Sequence, residues 1–274
     1  MISSHTSFFY LFGNPVKHSI SPKIHNYSFR HYGIDAVYMA IAVDEIKTAL
    51  DSVRDRNISG ANITIPFKTE AVKYVDEIDA LSDIAGAVNT VSNENGILRG
   101  YNTDIKGIEN TLLKLDENYA GKVVSIIGSG GAARAAVASL LLSNAGRVNI
   151  YARNEAKAQA MVDDIINRYG RHEKRKDFEI HVSSLNCKIS GDILINATSV
   201  GLKAGDFIPE VIENLDAFSS VMDMIYGKTS LLEKAEEYGI KNTDGTNMLI
   251  VQAAEAFRIW TGIYPEDVMR RALI

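Results

Sequence analysis

Apolar positions recur along the chain at two spacings, and each spacing predicts an element. Apolar runs at 8–12, 36–42, 123–127, 148–153, 178–182, 192–197 and 221–226 have strand length. The runs at 192–197 and 221–226 read as parallel, central strands, because their apolar character is nearly unbroken. Residues 23–32 read as a helix stopped by Gly33, and Leu249, Ala253, Ala256, Phe257 and Trp260 make one stripe at helical spacing. Between Gly60 and Lys68 the pattern alternates, with Ala61, Ile63 and Ile65 on one strand face and Asn62 and Thr64 on the other. Pro66 should end that strand and open a helix, placing Lys68 in its first turn. Residues 86–91 read as another strand, and Asn93-Glu94-Asn95-Gly96 as a hairpin turn, because Asn-Gly accepts positive φ. Strands alternating with helices predict an α/β fold.

The stretch from Val123 to Arg153 is the most informative. An apolar strand breaks into Gly128-Ser129-Gly130-Gly131-Ala132-Ala133, an Ala/Leu-rich helix follows, and a second strand closes the unit. Gly128, Gly130 and Ala133 occupy the G-x-G-x-x-A places of a dinucleotide-binding β-α-β unit. Gly128 would permit the tight turn, Gly130 the approach of a pyrophosphate, and Ala133 close helix–strand packing. The helix N-terminus would offer unpaired N–H groups to the phosphates. An NAD site places an acid at the tip of the second strand. Here Tyr151-Ala152-Arg153-Asn154 stands there, followed by Lys157. Arg153 and Lys157 would suit a 2′-phosphate, which favours NADP, although Glu155 lies between them.

Length and charge narrow the picture further. At 274 residues the chain is near the size at which one core divides, so two domains are expected. A composition of 46% apolar and 23% charged residues is that of a soluble globule. A net charge of −5 gives no basic footprint for nucleic acid, and the cationic run Arg171–Lys176 reads as a solvated loop. The single Cys187 excludes an internal disulfide, and no Cys/His cluster has zinc spacing. Neither a secretory leader nor a membrane-length apolar run is present, so a cytoplasmic protein with no membrane partner is expected. A monomer is the default state, with a homodimer the alternative.

Polar residues at strand ends and loops supply the candidate chemistry. Ser21 has the position of a helix N-cap ahead of Pro22, whereas Ser19 is not needed for that cap and is available to a polar ligand. A lysine in a first helical turn is electrostatically disfavoured, which would lower the Lys68 pKa and suit proton exchange near neutrality. Asp104 is placed to cap a helix beginning near Ile105; were it also to meet Lys68, the two would form a proton-transfer pair. Gln252 sits beside the helical stripe, where it can face a ligand.

Gly13 to Pro22, Gly60 to Lys68, Gly86-Ala87-Val88-Asn89-Thr90, Gly100 to Asp104, the Gly128 loop, Asn196 to Gly201, Asp223-Met224-Ile225-Tyr226 and Gln252-Ala253-Ala254 occur in that order over almost the whole chain. Together they resemble the shikimate dehydrogenase family, which reduces 3-dehydroshikimate with NADPH in aromatic amino-acid biosynthesis. The resemblance implies two domains. One is an α/β substrate domain of residues 1–104 completed by C-terminal helices 247–274, and the other a Rossmann-type, doubly wound NADP domain of residues 105–246. It implies Lys68 and Asp104 as the catalytic pair at the C3 oxygen, and Ser19, Ser21, Asn62, Thr64, Asn89, Tyr226 and Gln252 as ligands of shikimate. Gly128, Gly130, Gly131 and Ala132 would hold the pyrophosphate and Arg153 the 2′-phosphate. Thr198, Met224 and Gly245 would lie along the cofactor.

Two departures stand out. The family's cofactor loop reads Asn-Arg-Thr, against Ala152-Arg153-Asn154 here, and the proline-containing segment after Tyr226 is shortened. The first loosens the expected preference for NADP. A quinate/shikimate dehydrogenase using NAD and a non-catalytic regulator on the same fold are the rival readings. Retention of both Lys68 and Asp104 weighs against the regulator.

Overall fold

This computed structural model describes all residues except 1, 56–57, 117–118, 144, 174–177, 204–205 and 207. In chain order the elements are β1 (Ser7–Gly13), α1 (Ser21–His31), β2 (Ala36–Ala42), α2 (Ile46–Asp55), β3 (Gly60–Ile63), β4 (Glu77–Ile78), α3 (Ala80–Ala85), β5 (Thr90–Glu94) and β6 (Ile97–Tyr101). There follow α4 (Asp104–Leu115), β7 (Val123–Ile127), α5 (Gly131–Leu142), β8 (Arg147–Ala152), α6 (Glu155–His172), β9 (Glu179–Ser184) and β10 (Ile193–Asn196). The last are α7 (Pro209–Glu213), β11 (Ser220–Asp223), α8 (Ser230–Glu237), β12 (Lys241–Thr243), α9 (Thr246–Thr261) and α10 (Glu266–Arg271). They form two compact units, Met1–Thr103 with Ile250–Ile274, and Asp104–Leu249.

The first unit is built on a mixed sheet in the order β2-β1-β3-β5-β6-β4. β1 runs parallel to β2 and β3, whereas β5 is antiparallel to β3 and to β6. Alternation along β1 sends Phe9 and Leu11 into a core with Ile24, Phe29 and Phe257, and Phe12 into another with Ile46, Leu50 and Val53. Both faces of the strand are covered, which is why residues 8–12 are apolar without a break. The β5–β6 turn is the expected hairpin: Glu94 pairs with Ile97, and Asn95 and Gly96 both take positive φ (55° and 90°).

The second unit has an entirely parallel sheet in the order β12-β11-β10-β7-β8-β9. Counted from β7, the strands lie 6-5-4-1-2-3, the doubly wound arrangement, and the order reverses between β7 and β10. Ligands bind outside the carboxyl ends of strands at such a reversal. β10 and β11 are buried along their whole length, in keeping with their apolar sequences. Among the described residues, no helix is long and apolar enough to cross a membrane.

Several local expectations give way to tertiary hydrogen bonding. No α-helix opens at Pro66; the chain turns instead and makes only a short 3-10 turn at Ala71–Lys73. The Lys68 carbonyl accepts from Val88 N at 2.8 Å, so it is engaged outside any local helix. Residues 86–89 are not strand: Gly86 ends α3 in the left-handed conformation, and β5 begins at Thr90. Ser21 is the first residue of α1 and no side chain caps that helix. Its amide donates instead to Ser19 Oγ at 3.2 Å, so Ser19 serves the turn that Ser21 was expected to cap. Arg171 and His172 belong to the end of α6, and residues 174–176 of the cationic run lie outside the described residues.

Candidate active site

The glycine turn separates two roles that the motif alone combines. Gly128 follows β7 with φ +119°, and a Cβ there would press on Thr198 Cγ2 at 3.1 Å and the Ala197 carbonyl oxygen at 3.2 Å. Its presence is a requirement of the fold. Gly130 has φ −94°, which any residue adopts, and no heavy atom lies within 4 Å of the Cβ it lacks. It caps α5, and no side chain closes the helix end. The space that a Cβ would fill lies over the first turn, where Gly131 and Ala132 stand half-buried and the helix favours an anion. Ala133 is fully buried, as close helix–sheet packing requires.

Arg153 and Lys157 are both exposed, just past β8 and in the first turn of α6, and neither forms an ion pair with another described residue. Asn154 caps α6 by accepting from Lys157 N at 2.9 Å, so the residue that departs from the family's threonine has a structural task. An open cradle at a helix N-terminus with two cations at the adjacent strand tip fits a dinucleotide carrying a 2′-phosphate.

At the other side of the strand-order reversal, polar side chains tie two loops together. Asn196, the last residue of β10, accepts from Thr198 N and Oγ1 at 3.1 and 2.8 Å and donates to Asp223 Oδ1 at 3.0 Å. Asp223, the last residue of β11, also accepts from Ile225 N at 3.1 Å and Thr229 Oγ1 at 2.7 Å. Burial pushes the Asp223 carboxyl up, and these donors oppose the rise. Met224 N donates to Asn196 O at 3.0 Å, and Gly245 N to Ile225 O at 2.9 Å. A Cβ on Gly245 would collide with the Met224 carbonyl oxygen, so the pair belongs to one tight corner. Tyr226 projects from the same loop, 38% exposed, and partial burial raises its phenol pKa.

In the first unit, three of the polar positions singled out by sequence meet in one largely buried network. Asn62 Nδ2 donates to Thr90 Oγ1 at 2.9 Å and to the Asn89 carbonyl at 3.2 Å. Thr90 Oγ1 donates to Asn89 Oδ1 at 3.1 Å, and Asn89 Nδ2 donates to Thr103 Oγ1 at 3.0 Å. Thr103 Oγ1 in turn lies 3.4 Å from Gln252 Oε1 on α9. Asn62, Asn89 and Gln252 therefore come together, although they are far apart in sequence. Thr64, one residue past β3, is held by its amide, which donates to the Phe12 carbonyl at 2.8 Å. Ser19 and Ser21 share the turn into α1.

Lys68 lies half-buried in the turn after β3, and Asp104 is buried as the first residue of α4. The helix terminus that was to act on Lys68 is absent. At Asp104 a helix terminus is present, with the sign that favours a carboxylate. The two residues belong to different compact units.

Three members of the network were not singled out by sequence: Tyr38, Thr90 and Thr103. Tyr38 sits in the run Ala36-Val37-Tyr38-Met39-Ala40, which reads as plain core, yet its hydroxyl donates to Asn62 Oδ1 at 2.7 Å. A buried tyrosine needs a partner for its O–H, and that need was the signal available. Thr90 and Thr103 each follow an asparagine, and only the sheet pairing of Thr90 with Tyr101 brings the two Asn-Thr pairs together.

Comparison with known proteins agrees with this geometry. Residues 11–91 match the model of the shikimate dehydrogenase substrate binding domain, and residues 245–274 that of the shikimate 5′-dehydrogenase C-terminal domain. The chain is 38% identical to the shikimate dehydrogenase (NADP(+)) of Methanocaldococcus jannaschii, covering 100% of this chain and 98% of that protein. It superposes on the crystal structure of shikimate dehydrogenase from Aquifex aeolicus with a TM-score of 0.87 at 34% identity, covering 100% and 99% of the two chains. With shikimate 5-dehydrogenase from Listeria monocytogenes, solved in complex with shikimate and NAD, the TM-score is 0.85 at 31% identity, covering 100% and 98%.

Proposed function

The chain belongs to the shikimate dehydrogenase family, and on that premise we propose that it interconverts 3-dehydroshikimate and shikimate with NADP(H), in aromatic amino-acid biosynthesis. The observation that carries the reading is that the chain has both an open glycine cradle at α5 and a buried network of amide and hydroxyl side chains in the first unit. Bound NADP(H) supplies or takes up the hydride. Lys68 gives a proton to the C3 oxygen in the reducing direction and takes it back in the oxidising direction, with Asp104 orienting it. Ser19 and Ser21 hold the carboxylate of the substrate. Asn62, Thr64, Asn89, Tyr226 and Gln252 meet its hydroxyls. Gly128, Gly130, Gly131 and Ala132 shape the pyrophosphate site, Thr198, Met224 and Gly245 line the cofactor, and Arg153 with Lys157 receives the 2′-phosphate.

This division of roles makes the first unit, Met1–Thr103 with Ile250–Ile274, the substrate domain and the second, Asp104–Leu249, the NADP domain, with boundaries within a few residues of the 104/105 and 246/247 expected from sequence. A cytoplasmic monomer that binds small molecules, and neither nucleic acid nor membrane, suits an acidic chain of this composition.

Initial rates of shikimate and quinate oxidation, each with NADP⁺ and NAD⁺, test the reading through the absorbance of the reduced cofactor. Turnover chiefly with shikimate and NADP⁺ is the expected outcome. Comparable rates with NAD⁺ would remove Arg153 as the discriminator, and binding without any turnover would favour the regulator.

A further inference from the structure

The first unit contains a residue whose chemistry the substrate-binding roles do not use. Tyr38 is completely buried on β2, its ring stacked on His25 with centroids 4.4 Å apart and planes 9° from parallel. Its single hydroxyl proton goes to Asn62 Oδ1 at 2.7 Å.

The polarity of that bond follows from the neighbours. The Asn89 backbone carbonyl can only accept, so the Asn62 atom facing it must be the amide nitrogen. Both Asn62 N–H groups are then engaged, one by that carbonyl and one by Thr90 Oγ1. The Asn62 oxygen is left facing Tyr38, which has to donate. At the far end the orientation of Asn89 is set in the same way, because its Oδ1 accepts from Thr103 N at 2.8 Å and a backbone amide can only donate. What Asn62 can offer a ligand is therefore the second lone pair of its oxygen.

We propose that Tyr38 is a positioning residue of the substrate site: the hydroxyl proton it donates holds the Asn62 side-chain oxygen in place as an acceptor for a substrate hydroxyl. The proposal rests on the shikimate reading of the site.

Tyr38→Phe removes one oxygen and keeps the ring on His25. It is compared with Asn62→Ala and the double variant, using shikimate as the probe. The measurements are Kd by calorimetry, kcat and KM for shikimate and for NADP⁺, and thermal stability. Kd and KM for shikimate should rise about tenfold in Tyr38→Phe, with kcat and KM for NADP⁺ within about twofold. In the Asn62→Ala background the added effect of Tyr38→Phe on shikimate KM should shrink to about twofold or less, since the residue acts through Asn62.

Additive effects, or a fall in kcat with shikimate KM unchanged, would overturn the proposal. So would a uniform loss of stability and of both KM values, which is what a packing role produces. If Tyr38→Phe fails to fold, Asn62→Asp serves in its place: the carboxylate keeps the acceptor toward Tyr38 and loses the donors, so a shikimate KM near that of the wild type supports acceptor use, and a value as high as that of Asn62→Ala overturns it. Wild-type protein that neither binds nor oxidises shikimate would sink the functional reading itself, and this proposal with it.

Discussion

Acidification should destabilise this protein through His25 in a predictable window. The imidazole is fully buried on α1 among Tyr38, Trp260, Phe257 and Phe29, at centroid distances of 4.4, 5.4, 6.3 and 6.5 Å. Neither ring nitrogen has a hydrogen-bond partner among the described residues. Desolvation lowers its pKa from 6.5 to about 3, so the folded protein keeps it neutral while the unfolded chain protonates it readily. Between those values the unfolded state binds more protons, and stability falls as pH falls. The contribution is intact above pH 6.5 and is lost progressively down to about pH 3. That fall in pKa corresponds to roughly 5 kcal/mol in all, of which about 2 kcal/mol is lost between about pH 7 and pH 5. Urea unfolding of the wild type and of His25→Phe at both pH values isolates this contribution, because every other titrating group is shared. The wild type should lose about 2 kcal/mol more than the variant over that interval. Equal losses would show that His25 is protonated in the folded state, or hydrated there, and would refute the reasoning.

Gly128→Ala should lower the thermal midpoint by several degrees, as about 1–3 kcal/mol of strain at φ +119° adds to the crowding on Thr198 and Ala197. Gly130→Ala should leave the midpoint nearly unchanged and raise KM for NADP⁺ by about 10–100-fold, since it blocks phosphate contacts and little else; equal destabilisation by both changes would contradict the division of roles. Lys68→Ala should lose about 10²–10⁴-fold in kcat with shikimate still bound, and unchanged turnover would remove it from the chemistry. Arg153→Ala should raise KM for NADP⁺ about tenfold or more and leave KM for NAD⁺ within about twofold, a difference read directly from initial rates with the two cofactors.

Much of the molecule follows from local patterns. The apolar run at 8–12, the Gly128 turn and the Asn95-Gly96 hairpin each express a requirement that acts within a few residues: burial on two strand faces, a left-handed φ, or a two-residue turn. Those were legible in the amino-acid sequence, as were the residue types of the cofactor turn. What only the tertiary structure decided is which polar groups meet and which way their protons point. The helix expected at Pro66 is absent because the Lys68 carbonyl bonds Val88, twenty residues on. Ser21 does not cap α1 because it is already the first residue of that helix, and its amide turns to Ser19 Oγ. Tyr38 reads as a core aromatic until the sheet order sets β1 between β2 and β3 and brings its hydroxyl to Asn62. Conformational preference is a property of neighbours in the chain. The satisfaction of a buried donor depends on partners delivered by strand pairing, and no spacing along the chain encodes them.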